Sequence, residues 1–376
     1  MNHPIVAMIL VGGKGTRLKE LTKEIAKPAV SFGAKYRLID FTLSSLTNSQ
    51  LDVVGIVTQY EPYELMRYIG RGASWDLDTI DGGITFLTPY AKNGDVLWQK
   101  GTAHAVAQYF NFVKEHQARQ VLILSGDQIY KMDYQNLVRE HLLNNRQLTI
   151  AATEVPWNEA HRFGILDVDA SSRVVGFEEK PKQPKHNLAS MGIYLFNTEV
   201  LESLLQGANT AESIDFGQNV IPSAIYGGMN VGVYRFKGYW RDVGTIESLY
   251  EANMDMIDDQ DFLGLNSSKN LPVYSKSLNL PPHIVLEDGE IKASIIADGC
   301  VIDGRVFHST VGYSCIIKKN ASVSRCVILP GCVIGEGAII ENAIVNHNVK
   351  VPDHFVFRPK QVTILDTIPQ GGLVYE

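Results

Sequence analysis

The feature that most restricts what this chain can become is a six-residue recurrence of aliphatic side chains near its C-terminal end. Val311, Ile317, Val323 and Leu329 form one series, and Ile328, Ile334 and Ile340 form another. Six is neither a helical nor a strand period. It matches a β-helix, in which each short strand gives one inward side chain to a face of a triangular coil and stacked coils share a core. The clearest unit is Ile334-Gly335-Glu336-Gly337-Ala338-Ile339, and small residues one hexad apart at Cys326, Cys332 and Ala338 suit a tight inner corner. An ordinary β-sandwich is the alternative.

Upstream, the rhythm is different. Residues 1 to about 260 alternate β-branched runs with helical stretches, which implies a mainly parallel sheet covered by helices on both faces. Val53–Thr58, Val121–Ser125 and Leu148–Glu154 read as strands buried on both sides, because they are nearly continuously apolar. Ile5–Val11 reads as a further buried strand and not a signal peptide, since no positive segment precedes it. Ala103–His116 reads as one helix opened by Gly101 and Thr102. Asp258–Pro282 is polar, proline-broken and aperiodic, which divides the chain into 1–260, a linker 261–282 and a β-helix 283–376. With 376 residues the chain exceeds the size of one ordinary core, which agrees with two units.

A net charge of −7 gives no global basic field for nucleic acid, and no segment is long and apolar enough to span a membrane, so a cytoplasmic protein is expected. The four cysteines, Cys300, Cys315, Cys326 and Cys332, show no CxxC spacing and read as buried free thiols.

The first strand runs into Leu10-Val11-Gly12-Gly13-Lys14-Gly15-Thr16-Arg17-Leu18. Such a turn lets backbone N–H groups approach a phosphate. It is neither a Walker A sequence nor a GxGxxG fingerprint. Two cations nearby, Arg17 and the Lys27 of Ala26-Lys27-Pro28-Ala29-Val30, are placed to neutralise charge on a transferring phosphoryl group, with a solvated surface lysine as the plain alternative.

Taken together, Gly12–Leu18, Lys27–Val30 and Phe32–Phe41 resemble the bacterial glucose-1-phosphate adenylyltransferases in order and spacing. Thr58-Gln59-Tyr60, Gly101-Thr102-Ala103, Ser125–Tyr134, Arg162-Phe163-Gly164, Glu179-Lys180-Pro181, Ala189–Tyr194 and Tyr239–Thr245 extend the likeness over essentially the whole chain. The resemblance implies a Rossmann-like nucleotidyltransferase domain followed by a left-handed parallel β-helix. It also implies transfer of the adenylyl group of ATP to glucose 1-phosphate, with Mg²⁺ as cofactor and a homotetramer or a heterotetramer with a paralogous subunit. On the same resemblance, Arg17, Lys27 and Asp127 are catalytic, and Asp127 and Asp242 hold the metal. Leu10, Gly12, Gly13, Gln59, Gly101 and Thr102 meet the nucleotide, and Gln99, Gly164, Glu179, Lys180 and Ser190 meet glucose 1-phosphate.

The likeness is not complete. Gln99 stands where many relatives carry an aromatic residue, and Gln128 replaces the usual histidine after Gly126-Asp127. Glu24 replaces the lysine that binds a sugar-bisphosphate activator in enteric relatives, so strong activation by fructose 1,6-bisphosphate is not expected. Three other readings compete: a regulatory subunit that has lost catalysis, against which Arg17, Lys27, Asp127, Lys180 and Asp242 are all retained; thymidylyl or uridylyl transfer; and acyl transfer by the β-helix, for which His308, His347 and His354 are the candidates.

Overall fold

The computed structural model describes residues 5–13, 15–59, 62–89, 91–92, 95–96, 99–206, 214–259 and 271–368. Lys14, Tyr60, Trp98 and the first ten residues of the expected linker lie outside the described residues.

A nine-stranded sheet organises the N-terminal unit. Its strands are β1 (Ile5–Leu10), β2 (Val53–Val57), β3 (Gly83–Leu87), β4 (Gln120–Ser125), β5 (Leu148–Glu154), β6 (Gly164–Val168), β7 (Val174–Glu179), β8 (Leu188–Asn197) and β9 (Val231–Arg235). β4, β1, β2 and β3 lie side by side and parallel. β8 runs antiparallel to β4, β5 and β6, while β9 adds to β5 in parallel. Alternate residues of β1 enter opposite cores: Val6 and Met8 pack with Val121 and Ile123, and Ala7 and Ile9 with Leu122 and Leu124. This two-sided burial is why these strands are apolar throughout.

The stretch expected as one helix from Ala103 to His116 is two, α1 (Thr102–Gln108) and α2 (Phe110–Glu115). Tyr109, at φ −109° and ψ 19°, leaves the helical region between them. The aromatic side chains of Tyr109, Phe110 and Phe112 are all buried in one core, so packing overrides helix continuity there.

From Ile284 onward three five-stranded parallel sheets form the faces of a β-helix. Val311 pairs with Ile328 and Ile328 with Val345, a step of 17 residues per coil. The inward series is Val311, Ile317, Val323, Ile328, Ile334 and Ile340, so between Val311 and Val345 one segment of each coil is five residues long instead of six. That shortening removes Leu329 from the interior series. Leu329 instead joins Val327 and Ile344 on the outer surface, where they pack on Leu18, Leu21, Phe32, Ile246 and Leu249 of the N-terminal unit. Polar contacts cross the same seam: Tyr250 donates to the Arg325 carbonyl at 2.8 Å, and Ser31 Oγ lies 3.1 Å from Nε2 of His347. All four cysteines are free and buried. Each thiol bonds a carbonyl of the next coil, such as Cys332 Sγ to Asn346 O at 2.9 Å. Among the described residues no helix is long and apolar enough to cross a membrane.

Candidate active site

Lys27 is fixed before its side chain makes any contact. Ala26–Val30 is a single tight turn with a proline after the lysine, closed by Ala29 N to Ala26 O at 2.8 Å and Val30 N to Lys27 O at 3.1 Å. Ala26, Ala29 and Val30 are buried, and so is Lys27, at 8% exposure. Its ammonium sits 2.5 Å from Asp127 Oδ2 and 3.5 Å from Asp242 Oδ1.

The two carboxylates arrive from distant segments. Asp127 follows the C-terminal end of β4, where ligands of open α/β sheets bind. A two-stranded ribbon, Gln128–Tyr130 against Trp240–Asp242, sets Asp242 opposite Gln128 and therefore beside Asp127. Arg17 closes the group. A methyl added at Gly244 would lie 3.1 Å from Asp242 Oδ2 and 3.2 Å from Arg17 Nη2, so glycine lets these two side chains approach across the chain.

Charge in this cluster is self-consistent. Burial works against the Lys27 charge, but Asp127 and Asp242 outweigh it and hold its pKa above the ordinary value. Burial also works against ionised Asp127, yet the Lys27 ammonium and the Ser125 hydroxyl hold that carboxyl below the usual carboxylate range.

Beside the cluster opens a cavity of about 500 Å³. Leu10, Gly12, Gly13, Gln59, Gln99, Gly101, Thr102, Asp127, Glu179 and Lys180 all line it. Gly13 faces open space, with nothing within 4 Å of an added Cβ, whereas Gly15 packs on the Lys27 stem and takes a left-handed φ of 62°. Gln59 and Gln99 clasp one another: Gln59 Nε2 donates to Gln99 O at 3.1 Å, and Gln99 Nε2 donates to Thr58 O at 3.0 Å.

Glu179 ends β7 and Lys180 follows it. Lys180 has a φ of 48°, a conformation that costs about 1–3 kcal/mol for a non-glycine residue. Adjacent strand residues point to opposite faces. The left-handed step cancels that opposition and brings Lys180 Nζ within 2.9 Å of Glu179 Oε1.

Arg17, Lys27, Gly164, Ser190 and Asp242 do not form the cavity wall. Gly164 supports it from behind, since a methyl there would meet the Phe177 ring at 2.3 Å and Glu179 Oε2 at 3.0 Å. Ser190 acts through a neighbour, donating to the hydroxyl of Tyr194, which does line the cavity.

Sequence reasoning missed the segment Asp215–Gln218, which lines the cavity too. Asp215 Oδ1 accepts from Thr102 N at 2.8 Å and Thr102 Oγ1 at 2.9 Å, while Ile214 O accepts from Ala103 N at 3.0 Å and His104 N at 3.1 Å. The signal was indirect. α1 has Gly101 at its N-cap, which offers no side chain, so its first N–H groups needed a cap from elsewhere. Gly217 closes the other end, because a methyl there would lie 2.6 Å from Glu179 Oε2.

Asp127 and Asp242 converge on one cationic point, and hard carboxylate oxygens suit Mg²⁺, which keeps water and substrate oxygens in its remaining positions. Among the described residues no third His, Cys, Asp or Glu completes a protein-only cage.

Comparison with known proteins assigns both units to known families. Residues 6–259 match the nucleotidyl transferase family and residues 283–357 match the GlmU-like C-terminal hexapeptide family. The chain is 47% identical to a glucose-1-phosphate adenylyltransferase of Bacillus mycoides over 95% of both chains. It is 46% identical to those of Bacillus cereus and Bacillus anthracis, again over 95% of both chains. The chain belongs to the glucose-1-phosphate adenylyltransferase family.

Proposed function

We propose that this chain transfers the adenylyl group of ATP to α-D-glucose 1-phosphate, giving ADP-glucose and pyrophosphate, the step that supplies the sugar donor for glycogen synthesis. The observation that carries the reading is the buried Lys27 between Asp127 and Asp242 at the edge of a glycine-walled cavity.

In the reaction a phosphate oxygen of glucose 1-phosphate bonds to the α-phosphorus, and the bond from that phosphorus to the bridging oxygen breaks, its electron pair leaving with pyrophosphate. The nucleophile is already an anion, so no protein base is required. Positioning and fixed charge supply the acceleration. Gly12 and Gly13 let the backbone approach the triphosphate, and Lys27 and Arg17 neutralise charge on it. The raised pKa of Lys27 keeps that charge in place at neutral pH. Gln59, Gly101 and Thr102 serve the nucleoside end. Glu179 accepts sugar hydroxyls, Lys180 holds the sugar phosphate, and Gln99, Gly164 and Ser190 shape the same pocket. Mg²⁺, held by Asp127 and Asp242, supplies Lewis-acid neutralisation of the phosphates when bound.

The β-helix serves assembly and effector binding. Ile284, Val301, Ile316 and Val333 stand in one column on the outside of a face, and Ile284 and Ile316 are exposed, which suits a partner chain, identical or paralogous, in a tetramer. A cytoplasmic location completes the reading.

The test is pyrophosphate release from Mg²⁺, glucose 1-phosphate and each of ATP, dTTP and UTP, beside Asp127→Asn. Release with ATP that disappears in the variant is expected. Release mainly with dTTP or UTP overturns the substrate, and silence with all three overturns the assignment of catalysis to this chain alone.

A further inference from the structure

Asp127 has two oxygens with different duties. Oδ2 faces Lys27 and, through it, Asp242. Oδ1 accepts a hydrogen bond from the hydroxyl of Ser125, two residues earlier at the end of β4. A serine at a strand end commonly satisfies nearby backbone. Here the Ser125 carbonyl accepts from Thr42 Oγ1 at 3.0 Å, from a helix packed against the sheet, and the Ser125 hydroxyl is given to the carboxylate instead.

The intervening residue permits the arrangement. Gly126 N reaches Leu10 O at 3.3 Å, and a methyl at Gly126 would lie 2.7 Å from Val11 Cγ1 and 2.9 Å from Ile39 Cδ1. The turn is thus pressed onto the first strand, and Ser125 and Asp127 are brought to the same side of it. The carboxylate plane is then defined at two points, the Ser125 hydroxyl on one oxygen and the Lys27 ammonium on the other.

We infer that Ser125 is a positioning residue for adenylyl transfer: its hydroxyl anchors Oδ1 of Asp127 so that Oδ2 is presented toward Asp242 for a shared divalent cation. The inference rests on the proposed metal role of Asp127. Ser125 lines the cavity but acts through Asp127, as hydrogen-bonding partners behind metal ligands do elsewhere. With a cation bound beside Oδ2, the Ser125 hydroxyl would still hold Oδ1 and keep the carboxylate from rotating.

The experiment compares the full-length wild type, Ser125→Ala, Ser125→Thr and Asp127→Asn by calorimetric titration with Mn²⁺, alongside kcat and KM. Removing such a partner commonly costs 10–100-fold in metal affinity or activity. Ser125→Ala is expected to weaken Mn²⁺ binding about 10-fold and to lower kcat by a similar factor, with KM for glucose 1-phosphate within about twofold. Ser125→Thr, which keeps the hydroxyl, is expected to restore both. Unchanged Mn²⁺ affinity in Ser125→Ala overturns the inference, and so does a threonine variant as impaired as alanine, because packing and not the hydroxyl would then be at fault. Equal Mn²⁺ binding by wild type and Asp127→Asn would instead overturn the metal role itself, and a wild type that makes no ADP-glucose would overturn the proposed reaction.

Discussion

Replacing Gly101 by alanine should disable the nucleotide side of the cavity without unfolding the protein. Gly101 has φ 110° and ψ 165°, a region that is essentially glycine-only and costs another residue about 1–3 kcal/mol. The added methyl would also lie 2.4 Å from the carbonyl oxygen of Ile214 and 2.8 Å from its carbon, both backbone atoms that cannot swing aside. Relieving that overlap means moving Ile214 by about an ångström, which breaks most of its bonds to Lys100 O, Ala103 N and His104 N, each worth roughly 0.5–1.5 kcal/mol. Together the two costs come to roughly 2–7 kcal/mol. That loss falls on a loop, so its first consequence is release of Asp215 from Thr102. At about 1.4 kcal/mol per tenfold, kcat/KM for ATP should fall at least about 25-fold. Steady-state pyrophosphate release and chemical denaturation measure the two effects. Gly13→Ala is the control for stability, since its methyl meets nothing within 4 Å. A Gly101→Ala protein within about 1 kcal/mol of wild type and within threefold in kcat/KM would refute the reasoning.

Two further outcomes follow from the charges. Asp127, held low, stabilises the fold above its ordinary pKa of about 3.9 and gives this up as pH falls through its folded value; Lys27, held high, stabilises below about 10.4 and gives this up as pH rises through its folded value. The stability gap between wild type and a Lys27→Met, Asp127→Asn double variant should therefore be flat from about pH 5 to 9 and narrow outside it, and melting curves that converge inside that window would exclude the pair as its source. Glu179→Gln should raise KM for glucose 1-phosphate about 10–100-fold, the worth of a hydrogen bond to a charged group, while KM for ATP stays within about twofold; equal changes in both constants would separate Glu179 from the sugar.

The sequence was most readable where one physical rule acts alone. Strands buried on two faces must be apolar throughout, so β1, β2, β4 and β5 were found within a residue or so of their ends. The hexad period exposed the β-helix, because every coil must fill the same core. Where two demands compete, the pattern misled. Leu329 continues a six-residue series and yet faces outward, since the seam between the units needs an apolar residue there as much as the core does. Tyr109 sits in a helical composition and breaks the helix for the sake of its ring. In the site, Arg17, Lys27, Asp127 and Asp242 were visible as charged residues in short motifs that resemble a known family. Asp215 was not, because its partner Thr102 lies far upstream and a cap delivered from a distant part of the chain leaves no local spacing.

The outward trio Val327, Leu329 and Ile344 carries a lesson for recombination. Leu18 and Leu21 follow the glycine turn, and Ile246 and Leu249 follow Asp242, so the β-helix is the floor on which both rims of the Lys27–Asp127–Asp242 cluster stand. Its repeats look interchangeable when viewed from inside, where any aliphatic side chain of suitable size fills the core. Seen from outside, they are individual. A grafted or shuffled coil must therefore bring the relief of its outer wall as well as its filling, and the β-helix is as sequence-specific as the sheet unit it supports.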